Sequence, residues 1–106
     1  MKPPWFFILL SVSSAPRYGT AIQDDVRALS DGNVRLWPAT LYGSLEELVE
    51  QRWLEVVPDD ERPEGISGRE RYYRITRTGR ATLKREAARL ESLASVARTR
   101  LALGVA

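Results

Sequence analysis

PATLYGSLEELVEQRW, residues 38–53, is the stretch on which the reading of this chain turns. Leu41, Leu45, Leu48 and Val49 recur at the i, i+4, i+7, i+8 spacing that gathers side chains on one side of a 3.6-residue helix, so a short helix with a core-facing stripe is predicted. Pro38 suits its first turn, where the missing donor has no helical acceptor and the fixed φ is already helical. The other side opens with Ala39, Thr40, Tyr42, Gly43 and Ser44, small or hydroxylated residues in the turns where unpaired backbone N–H groups and the positive end of the helix dipole favour an anion. Taken alone, the segment reads more readily as an ordinary packing helix with a polar back than as a phosphate-facing helix start.

The surroundings narrow the choice. With 106 residues the chain makes one domain with a modest core, at a size where apolar surface is often shared with a second subunit. The absence of Cys and His removes disulfides, thiolate zinc sites, cysteine nucleophiles and imidazole bases, and no pair of carboxylates stands at a recognisable catalytic spacing, so no enzyme, cofactor or metal is expected. The net charge of +2 is unevenly spread: residues 1–58 hold 5 basic and 7 acidic side chains, residues 59–106 hold 11 and 7. From Arg69 to Arg89 there are eight basic and two acidic residues, a local excess that suits a polyanion, although such runs also make plain solvated faces. The opening MKPPWFFILLSVSSAP resembles a secretory leader, but its apolar run is brief and Pro16 would follow the cut. It reads instead as a first helix over 5–14, with Trp5, Phe6, Ile8, Leu9, Leu10 and Val12 mostly buried, and no apolar run approaches the roughly 20 residues of a membrane span. A cytoplasmic protein is expected.

Tyr18, Ile22, Val26 and Leu29 then supply the core stripe of a second helix closed by Ser30-Asp31-Gly32-Asn33, with Gly32 as its left-handed cap and Gln23, Asp24, Asp25 and Arg27 towards water. Val34 and Leu36 alternate as one rung of sheet would. After the central helix, Leu54–Val57 reads as a strand, 58–68 as a polar loop, and 69–76 (RERYYRIT) as a second strand with Arg71, Tyr73 and Ile75 on one face. Three helices followed by a hairpin with arginines at its base is the winged helix-turn-helix plan, mainly α with a small β element (α+β), in which the third helix enters the major groove. Thr76 is the expected N-cap of the last helix, and Gly79 in its first turn marks a close approach. Leu83, Ala87, Leu90, Ala94, Ala97 and Leu101 continue a heptad seam, widened by Leu93 and Val96, along a rod too long for so small a core. The simplest use of the surplus is dimerisation, with Trp5, Phe6, Leu83, Leu90, Leu93, Ala97 and Leu101 at the interface. The chain thus divides into a DNA-binding unit, 1–76, and a C-terminal dimerisation helix, 77–106.

YGTAI near Tyr18, PATLYGSLEELVEQRWLE from Pro38 to Glu55 and RYYRITRTGR from Arg71 to Arg80 together resemble the PadR family of bacterial transcriptional regulators over roughly residues 6–100, and the single C-terminal helix is similar to its smaller subfamily. The resemblance implies a homodimeric winged-helix repressor of a neighbouring operon, bound to a pseudo-palindromic operator and often released by a small aromatic or hydrophobic effector. It places Thr40, Tyr42 and Ser44 at the DNA-facing start of the recognition helix, and Arg69 and Arg71 at the base of the wing. Thr40 and Tyr42 can donate to phosphate, and the arginines can reach phosphate or a narrow minor groove; Arg35 and Arg62 are further candidates. Tyr72 and Tyr73 read as packing residues. Asp59-Asp60-Glu61 and Glu46, Glu47 and Glu50 depart from the expected positive footprint, which keeps open a winged-helix protein-interaction module that no longer binds DNA. The last helix has no aromatic to stack on an effector, and Trp5, Phe6 and Phe7 fan about 100° apart, so they cannot all line one pocket.

Overall fold

In a computed structural model, residues 1–62 and 70–104 are described. The order is α1 (Pro3–Ser11), β1 (Arg17–Tyr18), α2 (Gly19–Leu29), α3 (Pro38–Glu50), β2 (Leu54–Val56), a 3-10 turn (Asp59–Glu61), β3 (Tyr72–Ile75) and α4 (Arg77–Leu103). The first helix therefore lies two to three residues earlier than its apolar run suggests, because Pro3 and Pro4 occupy the first turn, where proline is tolerated.

Ile8, Leu9 and Val12 of the α1 segment meet Ile22 and Val26 of α2 and Leu41, Leu45 and Leu48 of α3, all essentially without solvent contact. This is the stripe expected of the central helix, with Val49 at its edge. The stripe of α2 ends one turn early: Leu29 is exposed, because the chain turns away at Asp31 (φ 55°) and Gly32 (φ 79°). The Gly32 N–H donates back to the Arg27 carbonyl at 2.8 Å, satisfying a helix-end acceptor in the backbone state where glycine carries no steric penalty.

The sheet is antiparallel with β3 central, in the order β1-β3-β2. Its third strand is Arg17–Tyr18; Val34 and Leu36, which alternate like a strand, lie in irregular chain. Leu36 serves the core directly, and its carbonyl accepts from the Gln23 side-chain amide, so Gln23 faces the 34–37 segment rather than water alone. Tyr72 and Tyr73 are neighbours in a strand yet both buried. The Tyr73 ring joins the helical core, while the Tyr72 ring on the opposite face is covered edge-on by Tyr18 at 5.5 Å.

The start of α4 is clamped to the end of α3. The Thr76 hydroxyl accepts from the Gly79 N–H at 3.0 Å, as an N-cap should, and donates to the Arg52 carbonyl at 2.5 Å. The Thr76 N–H donates to the Trp53 carbonyl at 3.0 Å. A Cβ at Gly79 would overlap that same carbonyl oxygen, which is the close approach its position in the sequence marks.

Beyond Leu83, which closes the core at 8 % exposure, α4 leaves the domain: from Ala87 onward every described residue is exposed. The 27-residue helix gives the molecule a long axis of 57 Å against 27 and 23 Å. Two residues expected at an interface between subunits therefore serve this chain's own core. Leu83 packs inward, and Trp5 is buried with its ring 5.6 Å from that of Trp53 in an edge-to-face pair. Phe6 is half-buried, and Leu90, Leu93, Ala97 and Leu101 remain exposed along the rod.

Candidate nucleic-acid interface

The first turns of α3 are built to be open on one side. Leu41, Leu45 and Leu48 hold the helix to the core, which leaves Ala39, Thr40 and Tyr42 exposed. Tyr42 lies over the start of α2: a Cβ at Gly19 would stand 2.7 Å from its hydroxyl, so the absence of a side chain there lets the ring settle against the backbone. Tyr42, Tyr18, Gly19 and Thr20 form one wall of a cleft of about 220 Å³ whose other wall is Glu70, Arg71 and Tyr73. The head of α3 and the base of β3 are thereby brought to one face. Arg71 also borders a second cleft of about 330 Å³, shared with Glu46, Val49, Glu50, Val56 and Tyr73. Arg71 thus borders both the cleft with Tyr42 and the one with the carboxylates Glu46 and Glu50 of the same helix.

The remaining expected site residues distribute unevenly. Ser44 belongs inside: at 9 % exposure it lies on the core side of α3, a correction to its grouping with Thr40 and Tyr42, since position 44 falls about 40° from Leu48, at the edge of the stripe of Leu41, Leu45 and Leu48. Arg35 is exposed just before α3, in a cleft with Gln23, Asp24, Arg27, Leu36 and Trp37. Arg62 is largely covered, with 16 % of its side chain exposed, and pairs with Asp59 at 3.2 Å, so it does not present an open cation as an exposed hairpin loop would. Arg69 lies outside the described residues.

Electrostatically, much of the C-terminal basic excess is answered within the chain. Arg74 pairs with Glu55 at 2.7 Å across the β2–β3 ladder and with Glu61 at 3.4 Å; Arg89 pairs with Glu86; Arg80 donates to the Ser13 carbonyl at 3.0 Å. The hydrogen bond from Arg89 holds the Glu86 carboxyl below its ordinary range, and Glu55 raises the affinity of Arg74 for its proton. Among the described residues neither Arg35 nor Arg71 makes an ion pair, and they flank α3. Sequence reasoning did not single out Trp37 or Gly19; the signal available for Trp37 was an aromatic directly before the helix-starting proline.

The sequence matches the profile of the transcriptional regulator PadR-like family over residues 8–85, most of the folded unit. The chain belongs to the PadR-like family of transcriptional regulators. Its solved structural neighbours share the fold: a transcriptional regulator from Clostridium thermocellum (22% identity, 92% of this chain and 89% of that one, TM-score 0.72), a PadR family transcription regulator from Clostridium difficile (19%, 92% and 97%, 0.74) and the circadian clock associated protein Pex from anabaena (21%, 91% and 80%, 0.63). Comparison with curated proteins finds no match. As a PadR-like chain it is a DNA-binding transcriptional regulator with a winged-helix fold, a family of regulators rather than enzymes. No helix among its described residues is long and apolar enough to cross a membrane.

Proposed function

We propose that this PadR-like protein is a cytoplasmic homodimeric repressor that binds a pseudo-palindromic operator beside its own gene. The observation that carries the reading is the cleft in which Tyr42 of α3 meets Arg71, with Thr40 exposed in the same first turns of the helix. Thr40 and Tyr42 donate to phosphate at the mouth of the major groove, Arg71 lies along the adjacent backbone, and Arg35 meets the flank of the same half-site. The dimer forms through the exposed seam of α4, where Leu90, Leu93, Ala97 and Leu101 require a cover that one chain does not supply. A groove of about 290 Å³ between the start of the chain and α4, bordered by Phe6, Phe7 and Leu90, adjoins that seam and is where a small hydrophobic effector would act. Trp5 turns inward, so only two of the three consecutive aromatics reach the groove.

A gel-shift titration against the region upstream of the gene tests the reading. A retarded complex containing two chains per duplex, weakened steeply by salt, is expected; no complex at low salt would contradict it. The exposed Glu46 and Glu50 beside Arg71 favour one other reading, a winged-helix module that binds a protein partner. Arg71→Ala separates the two, because a DNA binder loses affinity and salt dependence together while an acidic docking face keeps its partner.

A further inference from the structure

Trp37 is the aromatic that the fold leaves unused. It is 65 % exposed, whereas Trp5 and Trp53 pack edge-to-face on one another. It also holds the N-cap position of α3, where Ser, Thr, Asp or Asn would accept a backbone N–H, and its side chain makes no cap hydrogen bond. The indole therefore serves neither core nor helix end. Its backbone is nonetheless fixed on both sides. Leu36 before it is buried and held by the Gln23 amide; Pro38 after it confines it to extended backbone (φ −67°, ψ 152°); and its carbonyl accepts from the Leu41 N–H at 2.8 Å. The plate stands one helical turn before the exposed Thr40. It borders a cleft of about 240 Å³ with Arg27 and Arg35, two cations that make no ion pair among the described residues, together with Gln23, Asp24 and Leu36.

We infer that Trp37 is a specificity-determining residue that packs against the 5-methyl group of a thymine in each operator half-site. The inference rests on α3 being the recognition helix. The thymine methyl is the apolar feature that the major groove offers, and an uncharged aromatic surface at the head of that helix, with Arg27 and Arg35 beside it for the neighbouring phosphates, matches it. A phosphate contact alone would use only the indole N–H and leave the ring face uncovered, and Thr40 and Arg35 already supply phosphate donors nearby.

Selection of binding sites from randomised duplexes, run in parallel on the wild type and on Trp37→Ser, tests this. The wild type is expected to select a thymine at one equivalent position of both half-sites, and replacing it with deoxyuridine, which removes only the methyl, weakens binding about fourfold per half-site. For Trp37→Ser the preference and the deoxyuridine penalty vanish while the rest of the selected sequence and the salt dependence persist. Serine is the better cap, so the variant keeps or raises the thermal midpoint, which separates lost base preference from unfolding. An unchanged thymine preference in Trp37→Ser, or a uniform loss of affinity with the same selected sequence, overturns the inference. Failure of the wild type to select any sequence would instead overturn the DNA-reading role of α3 on which it rests.

Discussion

Gly79 and Arg52 sit on opposite sides of one joint. Because a Cβ at position 79 would enter the Trp53 carbonyl, Gly79→Ala is expected to lower stability by about 3 kcal/mol in denaturant titration, the upper range for forcing atoms into a packed site. Arg52 holds φ 63°, a state that L side chains adopt at a cost, while the Trp53 N–H donates to the Leu48 carbonyl at 3.0 Å across the helix end. Arg52→Gly should therefore raise stability by about 1 kcal/mol. Tyr72 tests the β3 environment: burial, with Glu70 and Tyr18 adding to it, pushes its phenol above the ordinary value, against a smaller opposing pull from Arg62. A raised folded-state pKa means that its contribution is complete below the ordinary tyrosine value near 10 and is lost as pH rises through the higher folded value, so Tyr72→Phe should flatten part of the alkaline fall in stability. At this scale the sequence was partly legible. Thr76 as a cap and Gly79 as a close approach follow from residue type and position. The left-handed Arg52 does not, since nothing in an arginine signals it, and Ser44 looks like its hydroxylated neighbours until the helix is turned.

The long elements read well and the short one did not. The apolar spacing of α3, the boundaries of α2 and the length of α4 are local properties of 3.6-residue periodicity, available wherever leucines repeat. β1 is two residues long and exists because Tyr18 pairs with Tyr72, a partner 54 positions later that no local pattern announces. The same limit explains the heptad. Spacing alone cannot tell that Leu83 faces this chain's core while Leu90, on the same seam, faces outward. The two leucines should respond differently. Leu83→Ala removes a buried side chain and is expected to cost about 3 kcal/mol of folding stability. Leu90→Glu leaves the fold intact and places a charge in the seam, so light scattering should report monomers; a Leu90→Glu protein that stays dimeric would remove the seam from the account.

Across the whole molecule, the distribution of charge separates what a sequence count suggests from what a surface offers. Eight basic residues fall between Arg69 and Arg89, yet Arg74, Arg80 and Arg89 are engaged within the chain, and Arg71 is the one that borders both clefts beside α3. Position along the chain carries no information about which side of a strand or helix a guanidinium leaves from. The proposed DNA-binding face is accordingly sparse in charge and bears carboxylates at Glu46 and Glu50, so its salt dependence should be governed by few phosphate contacts, and Arg71→Ala should reduce the slope of log K against log salt by about one unit per protomer. The central claim is that two chains joined along α4 present their α3 heads to successive major grooves of one duplex. Hydroxyl-radical footprinting of the upstream region tests it most directly: two protected patches on one face of the helix, about 10 base pairs centre to centre or a multiple of that, are predicted. A single patch, or two on opposite faces, would contradict it.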